Sequence, residues 1–450
     1  MGILFGTDGI RGIANSELTG ELAYNVGRAG AYVLTKEKLS APRILVATDT
    51  RISGDMLESA LCAGICSVGA HAVCAGVIPT PAVAYLVRKY GLDAGVMISA
   101  SHNPVEYNGI KFFNSEGYKL RDELENEIEE ILLQGGLNKL PLPTGAAIGT
   151  RSFEENAIDD YVDFLTGAAE TRFDGIKVAL DCANGSAYMA APLALMALGA
   201  EVSISHHEPD GTNINQDCGS THLFAIKEFM KETGADIGFA FDGDADRCLA
   251  VDENLGEIDG DKILAICGLS MKCRGCLKKD TIVGTVMSNL GLDIMARREG
   301  LAIRKTSVGD RYVLEEMLKE GYNLGGEQSG HIIFLDKNTT GDGILTAINI
   351  LSVMKETGKK ASELGSLMEV MPQVLTNARV NNSRKNDFME YPEIRSTILR
   401  LEAKFAGTGR VLIRSSGTEP LVRVMIEGRN QTEISEDASM LAELIERLLQ

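Results

Sequence analysis

Gly234-Ala-Asp236-Ile-Gly238-Phe-Ala-Phe241-Asp242-Gly-Asp244-Ala-Asp246-Arg247 is the stretch on which the fold turns. It passes from a glycine-framed turn into a short apolar strand, then straight into three carboxylates at alternate positions. A buried strand that delivers a polar loop from its carboxyl end is characteristic of parallel α/β sheets. The arrangement recurs twice. Gly91-Leu-Asp93-Ala-Gly95 leads into Val96-Met-Ile-Ser-Ala-Ser101-His102, and Gly321-Tyr-Asn323-Leu-Gly325 leads into Gly326-Glu327-Gln-Ser329-Gly-His331. Three copies of Gly-x-Asp/Asn-x-Gly predict three related units, each delivering one loop to a shared cleft.

Outward from these runs, strand and helix patterns alternate. Residues 43–48, 71–77 and 94–99 read as strands, and 55–69 and 80–90 as helices. A charged helix at 122–133 runs into a Gly- and Pro-rich loop at 135–149, followed by a helix at 153–165. Strands at 176–180, 201–205 and 237–241 surround an apolar helix at 187–198. Strands at 249–251, 281–286 and 302–306, with helices at 290–299, 311–319 and 343–356, form the third unit. From about residue 373 the pattern changes to three strands and a C-terminal helix at 434–449. The expected fold is α/β: three similar domains with mixed, mostly parallel sheets plus a smaller α+β domain around a central cleft. Their boundaries are 1–150, 151–248, 249–370 and 371–450.

Composition narrows the function. The 450 residues carry 44 Lys plus Arg against 63 Asp plus Glu, a net charge of −19. Such acidity argues against nucleic acid and anionic membranes as partners. The longest nearly apolar run, 187–198, is far short of the ~20 residues of a membrane span. Nine scattered cysteines predict reduced thiols in a cytoplasmic protein. Cys273 and Cys276 form a CxxC with no second pair to complete a metal site.

The loops carry the chemistry. Asp242, Asp244 and Asp246 can converge on a hard cation such as Mg²⁺. Arg247 stands where an EF-hand needs glycine, and suits a phosphate beside that metal. Ser101 precedes His102, and adjacent side chains ordinarily diverge, so a hydrolytic Ser–His pair is not expected. A covalent phosphoryl carrier is the better use, with a phosphoserine oxygen completing the metal site. Lys111 is placed to serve the same loop as general acid or base. Glu327, Ser329 and His331 suit sugar hydroxyls. Arg414-Ser-Ser416-Gly417-Thr418, with Arg423 beyond, has the makings of an anion nest. Arg11, in Phe5-Gly-Thr-Asp8-Gly-Ile-Arg11-Gly12, is aimed at the reactive phosphate. Two phosphate sites with a sugar loop between them suit an enzyme that moves a phosphoryl group between two ends of a sugar.

In that order, the loops at Ser101, Asp242, Glu327 and Arg414 resemble the four signature loops of the α-D-phosphohexomutases, across essentially the whole chain. Phe5-Gly-Thr-Asp-Gly-Ile-Arg-Gly, Gln328 and Val308-Gly-Asp310-Arg311-Tyr312 are most similar to bacterial members acting on glucosamine phosphate. Members acting on mannose or glucose phosphates are the alternative. The resemblance implies a phosphorylated Ser101 that passes its phosphoryl to glucosamine 6-phosphate. Glucosamine 1,6-bisphosphate would follow as intermediate, then glucosamine 1-phosphate. It implies Mg²⁺ held by Ser101, Asp242, Asp244 and Asp246. Arg11, His102, Lys111 and Arg247 would stabilise charge or move protons, and Glu327, Ser329 and His331 would hold the sugar. Arg414, Ser416, Gly417, Thr418 and Arg423 would grip the distal phosphate. A homodimer is implied by resemblance alone.

Overall fold

The structure, a computed structural model, describes residues 4–6, 8–36, 41–416 and 419–450. The chain divides into two units: Met1–Met287 with Leu301–Leu367, and Ser288–Gly300 with Met368–Gln450.

The larger unit contains three sheets, each with a parallel centre and an antiparallel edge. In the first, Arg43–Thr48 lies between His71–Val77 and Ala94–Ile98, parallel to both. Tyr107–Asn114, Gly9–Ile13 and Phe5–Gly6 extend one side antiparallel, and Arg151–Phe153 pairs parallel on the other. The second sheet centres on Lys177–Asp181, parallel to Glu201–Ser205 and Ile237–Phe241. In the third, Thr281–Thr285 is parallel to Ala302–Thr306 and Leu324–Gly326, with Ile332–Phe334 antiparallel at the edge.

Three elements differ from expectation, the first being the helix Leu290–Arg298, which is read with the third unit but belongs to the smaller one. Cys248–Asp252, read as the opening strand of the third unit, pairs antiparallel with Ile237–Phe241 in the second sheet. The acidic run 242–247 is therefore the turn of a hairpin. Residues 151–153 are a strand, and the helix begins only at Ala157. Local periodicity cannot report the latter two results, because both depend on a partner strand distant in sequence.

The threefold sequence echo has a structural cause. The Asp93 carboxylate accepts from the N–H of Arg43 at 2.8 Å, and Asp236 accepts from that of Lys177 at 2.8 Å. Asn323 Oδ1 accepts from the N–H of Lys278 at 2.9 Å. Each time, the residue before one strand clasps its parallel neighbour, at the first residue of Arg43–Thr48 and of Lys177–Asp181 and in the turn just ahead of Thr281–Thr285. The opposite, carboxyl ends then present the loops on a common side of each sheet.

The first sheet is covered by helices Gly20–Thr35 and Ser53–Ser67, whose buried faces contribute Ala23, Val26, Leu57, Leu61 and Ile65 to the core. They approach backbone to backbone. A Cβ on Gly27 would collide with the Leu61 carbonyl, and one on Gly64 with that of Tyr24.

The smaller unit is an antiparallel sheet of Gln373–Arg379, Leu421–Glu427 and Arg410–Ser415, with Leu421–Glu427 central. Helices Pro392–Phe405 and Gln431–Leu449 bury Ile394, Leu401, Ile434, Leu441 and Ile445 against it. This is the expected small α+β domain.

Among the described residues, no helix is long and apolar enough to cross a membrane. All nine cysteines are free, and the exposed Cys273 and Cys276 belong to no metal-ligating group.

The close helix pair yields a test. Gly64→Ala should lower stability by about 1–3 kcal/mol, the usual range for overpacking, read as a lower denaturation midpoint. An unchanged midpoint would mean that the two helices separate at no cost.

Candidate active site

Ser101 follows the central strand Ala94–Ile98 and adopts φ 53°. This left-handed conformation is unfavourable for a residue with a Cβ. It turns the chain so that Ser101 Oγ lies 3.3 Å from His102 Nδ1, where an ordinary turn would separate the two side chains. The same hydroxyl donates to Asp242 Oδ2 at 2.6 Å.

The hairpin turn brings Asp242, Asp244 and Asp246 together. All three are buried, and one carboxylate oxygen of each lies within 4.8 Å of the others. Burial, then the charges of Asp246 and Asp244, push the Asp242 carboxyl well above its ordinary range. Burial acts on Asp246 in the same direction, but His331, Lys111 and Arg247 outweigh it and hold that carboxyl low. Asp244 Oδ2 accepts from Thr80 Oγ1 at 2.6 Å and Lys111 Nζ at 2.8 Å. Asp244 Oδ1 and Asp246 Oδ1 are buried with no hydrogen-bond partner. Orphaned carboxylate oxygens beside a third carboxyl are what a hard divalent cation requires. The residues present therefore fit a metal such as Mg²⁺.

Positive charge surrounds this cradle. Lys111, 1% exposed, sits between Asp244 and Asp8, 2.8 Å from each. Burial opposes its charge, but Asp244 and Asp8 prevail and raise it to about 12. Arg11 pairs with Asp8, and the Arg247 N–H donates to Asp242 Oδ1 at 3.1 Å. The Nε atoms of both arginines are buried without a partner. Burial, then Arg247 and Arg11, lower His102 to about 4, so its imidazole is neutral near pH 7.

The third loop joins through His331. Its Nδ1 is 3.5 Å from Asp246 and its Nε2 is 3.6 Å from Asp310. Lys119 reaches Asp310 and Asp8 at 2.5 and 2.6 Å. A chain of contacts thus runs through Lys111, Asp8, Lys119, Asp310, His331 and Asp246 and links the three sheets, and the His331 Nε2 also accepts from the Gly341 N–H at 3.1 Å. His331 is turned into this chain rather than held free in its loop. Glu327 Oε1 accepts from the Gly309 N–H at 2.9 Å, and the Ser329 hydroxyl is buried without a partner.

In the smaller unit, Arg414 and Arg423 face each other on paired strands. Burial, then Arg423, lowers the Arg414 guanidinium from its ordinary value. Ser416 is buried and accepts from the Glu419 N–H at 3.2 Å, and Glu419 pairs with Arg423 at 2.8 Å. Gly417 and Thr418 lie outside the described residues.

Sequence reading missed Asp8, Thr80 and Lys119. Asp8 lies in the same glycine-framed run as Arg11, and Thr80 opens the Thr80–Lys89 helix ahead of Pro81. Lys119 carries no local signal. A second polar group, Asp181, His206 and Cys218, is close-packed. Both Asp181 oxygens already accept backbone N–H bonds, from Ala183 and Gly219. This group fastens loops together.

Loops of this kind on three related α/β domains and a small fourth define a phosphohexomutase, and the chain belongs to the phosphoglucomutase/phosphomannomutase family. Residues 2–139, 159–256 and 259–371 match its alpha/beta/alpha domains I, II and III, and residues 375–444 match its C-terminal domain. Phosphoglucosamine mutase of Ruminiclostridium cellulolyticum is 62% identical, with 99% of each chain covered. A family protein from Burkholderia thailandensis has the same fold, with TM-score 0.83 at 24% identity over 99% of this chain and 98% of that one. So has Aspergillus fumigatus N-acetylphosphoglucosamine mutase, solved with GlcNAc-6P and magnesium. Its TM-score is 0.70 at 17% identity, over 100% of this chain and 96% of that one.

Lys119→Met would take the amine from the mostly shielded Asp310 and leave Asp8 with Lys111 and Arg11 alone. The expected loss is about 3–5 kcal/mol, as for removal of one partner from a buried ion pair, read from the denaturation midpoint of the full chain. No change would show that water already screens the pair.

Proposed function

We propose that the protein interconverts glucosamine 6-phosphate and glucosamine 1-phosphate through a phosphorylated Ser101. The observation that carries this reading is the Ser101 hydroxyl, buried and 2.6 Å from the acidic cradle. The name of its 62%-identical relative supports the sugar.

In the first half-reaction the phosphoryl group leaves Ser101 Oγ for O1 of glucosamine 6-phosphate, giving glucosamine 1,6-bisphosphate and a free serine hydroxyl. In the second, after the bisphosphate has turned end for end, Ser101 Oγ takes the phosphoryl from O6. Asp242, Asp244 and Asp246, with an oxygen of the phosphoserine, would hold Mg²⁺, which neutralises charge on the phosphoryl oxygens. Lys111, kept charged by its two carboxylates, stabilises the transferring group and can return a proton to the departing oxygen. His102, neutral and beside Ser101, can accept the proton of the incoming hydroxyl. Arg11 and Arg247 pair with phosphoryl oxygens through Nε groups that make no hydrogen bond in the protein. Glu327 and Ser329 orient the sugar, and His331, expected beside them, instead holds their loop in place through Asp246, Asp310 and the Gly341 N–H. Arg414, Ser416, Gly417, Thr418 and Arg423 hold the phosphate that is not reacting. Like charges facing each other across two strands are unfavourable, and an anion between Arg414 and Arg423 relieves the repulsion.

Mass measurement before and after Ser101→Ala, with assays on glucosamine, glucose and mannose 6-phosphates, tests the reading. The variant should lose the ~80 Da phosphoryl increment and essentially all turnover. Undiminished turnover overturns the phosphoserine mechanism, and faster turnover of mannose phosphate overturns only the choice of sugar. Size measurement by light scattering checks the homodimer.

Metal removal gives a second expectation. Adding Mg²⁺ to chelator-treated protein should raise its melting temperature. That shift should disappear in Asp244→Asn, where one oxygen of the cradle becomes an amide. A shift of equal size in the variant would place the metal elsewhere.

A further inference from the structure

We propose that the buried Asp49–Arg51 pair and Asn215 are positioning residues that hold the main chain of the nucleophile in one place for both half-reactions. This rests on the phosphoserine reading above and adds to it.

The five N–H donors of the Arg51 guanidinium are all engaged, and its side chain is fully buried. Nε donates to Asp49 Oδ2 at 2.9 Å. Nη2 donates to the carbonyls of Ser101 at 2.9 Å and Asn103 at 2.7 Å. Nη1 donates to those of Pro104 and Tyr107, the latter at 3.0 Å. One side chain thus gathers four carbonyls of the nucleophile loop. The circuit closes on Ser101 from its other end. The Ser101 N–H donates to Ser99 Oγ at 2.9 Å, and that hydroxyl donates to Asp49 Oδ2 at 2.6 Å. Both main-chain polar groups of the nucleophile therefore lead back to a single ion pair.

Asn215 grips the same loop from the second sheet's side. Its Nδ2 donates to the carbonyls of Ser101 at 2.9 Å and Asn103 at 3.1 Å, so each of these oxygens has two donors. Asn215 is itself left-handed, at φ 58°, and its N–H is tied to the Ala183 carbonyl at 2.9 Å. Gly243, inside the acidic turn, rests on this junction. A Cβ there would come 2.6 Å from the Ser101 carbonyl and 2.9 Å from Asn215 Nδ2.

A loop that only had to fold would not need its strained residue fixed from two elements at once. A left-handed serine persists only where its surroundings over-determine it. The reaction supplies the reason. One oxygen must meet O1 and then O6 of a substrate that turns over, so the serine has to be the fixed point.

The test compares Asn215→Ala, Asn215→Asp and Ser99→Ala with the wild type. It uses kcat and KM in both directions, melting temperature, and single-turnover phosphorylation of Ser101 by glucose 1,6-bisphosphate followed by mass. A misplacement of ~1 Å costs ~100-fold. The expected result is a kcat lower by ~10–100-fold in both directions, with KM within ~2-fold, since transition-state placement and not ground-state binding is lost. Asn215→Asp should fall below Asn215→Ala, because its carboxylate turns acceptors toward two carbonyls. A purely structural role would reduce the folded fraction but leave kcat per phosphorylatable site unchanged, and that result overturns the proposal. Asn215→Asp performing like wild type overturns it as well. Ser99→Ala keeps the ion pair and cuts only the link to the Ser101 N–H, so it reads the circuit even where an Asn215 variant fails to fold. If Ser101→Ala stays active, the phosphoserine reading fails. If Ser101→Ala is inactive while the Asn215 and Ser99 variants keep their kcat, only the clamp fails.

Discussion

Negative charge kept from water must be answered by positive charge within a few ångström, and the larger unit is organised around that demand. At an effective dielectric of ~20, two unit charges 4 Å apart interact by ~4 kcal/mol. Three carboxylates in one buried turn therefore repel strongly enough to open it, unless cations from elsewhere hold it closed. Lys111 of the first sheet is such a cation, and Asp8, Lys119, Asp310 and the His331 imidazole carry the contacts on to the third sheet. The same electrostatics that make room for a metal also fix how the three sheets of this unit meet.

Much of this was legible in the amino-acid order. The strands at 43–48, 71–77, 201–205, 237–241 and 302–306 are where apolar runs between turns place them. The acidic trio and the serine loop stand out because each is a run of polar residues directly after an apolar strand. What stayed hidden depends on distant partners. The strand Cys248–Asp252 is ambiguous by pattern, and only its ladder with Ile237–Phe241 assigns it to a sheet. Lys119 looks like any surface lysine until Asp310, nearly two hundred residues away, is brought to it. The nearness of Ser101 and His102 follows from a dihedral angle that no residue type announces, since serine gives no hint of a left-handed backbone.

Net charge and local charge point in opposite directions, and the structure reconciles them. An acidic surface disfavours polyanions, while the interior gathers Arg11, Lys111 and Arg247 where phosphoryl oxygens would lie. Under the proposed function, the substrate is a small anion met by these local cations, whereas a polyanion would meet the net negative charge of the whole chain. Selectivity of this kind needs no specific contact with the excluded molecules.

The clasp that repeats at Asp93, Asp236 and Asn323 separates two inheritances within each domain. One end of every sheet carries a fixed fastening that sets strand register and has no part in chemistry. The other end carries a loop whose residues can change without disturbing that register. A duplicated domain built this way starts life already folded, with its reactive end free to diverge. In the function proposed above, the three copies take up different tasks, carrying a phosphoryl group, holding a metal and reading a sugar, with no new fold to invent.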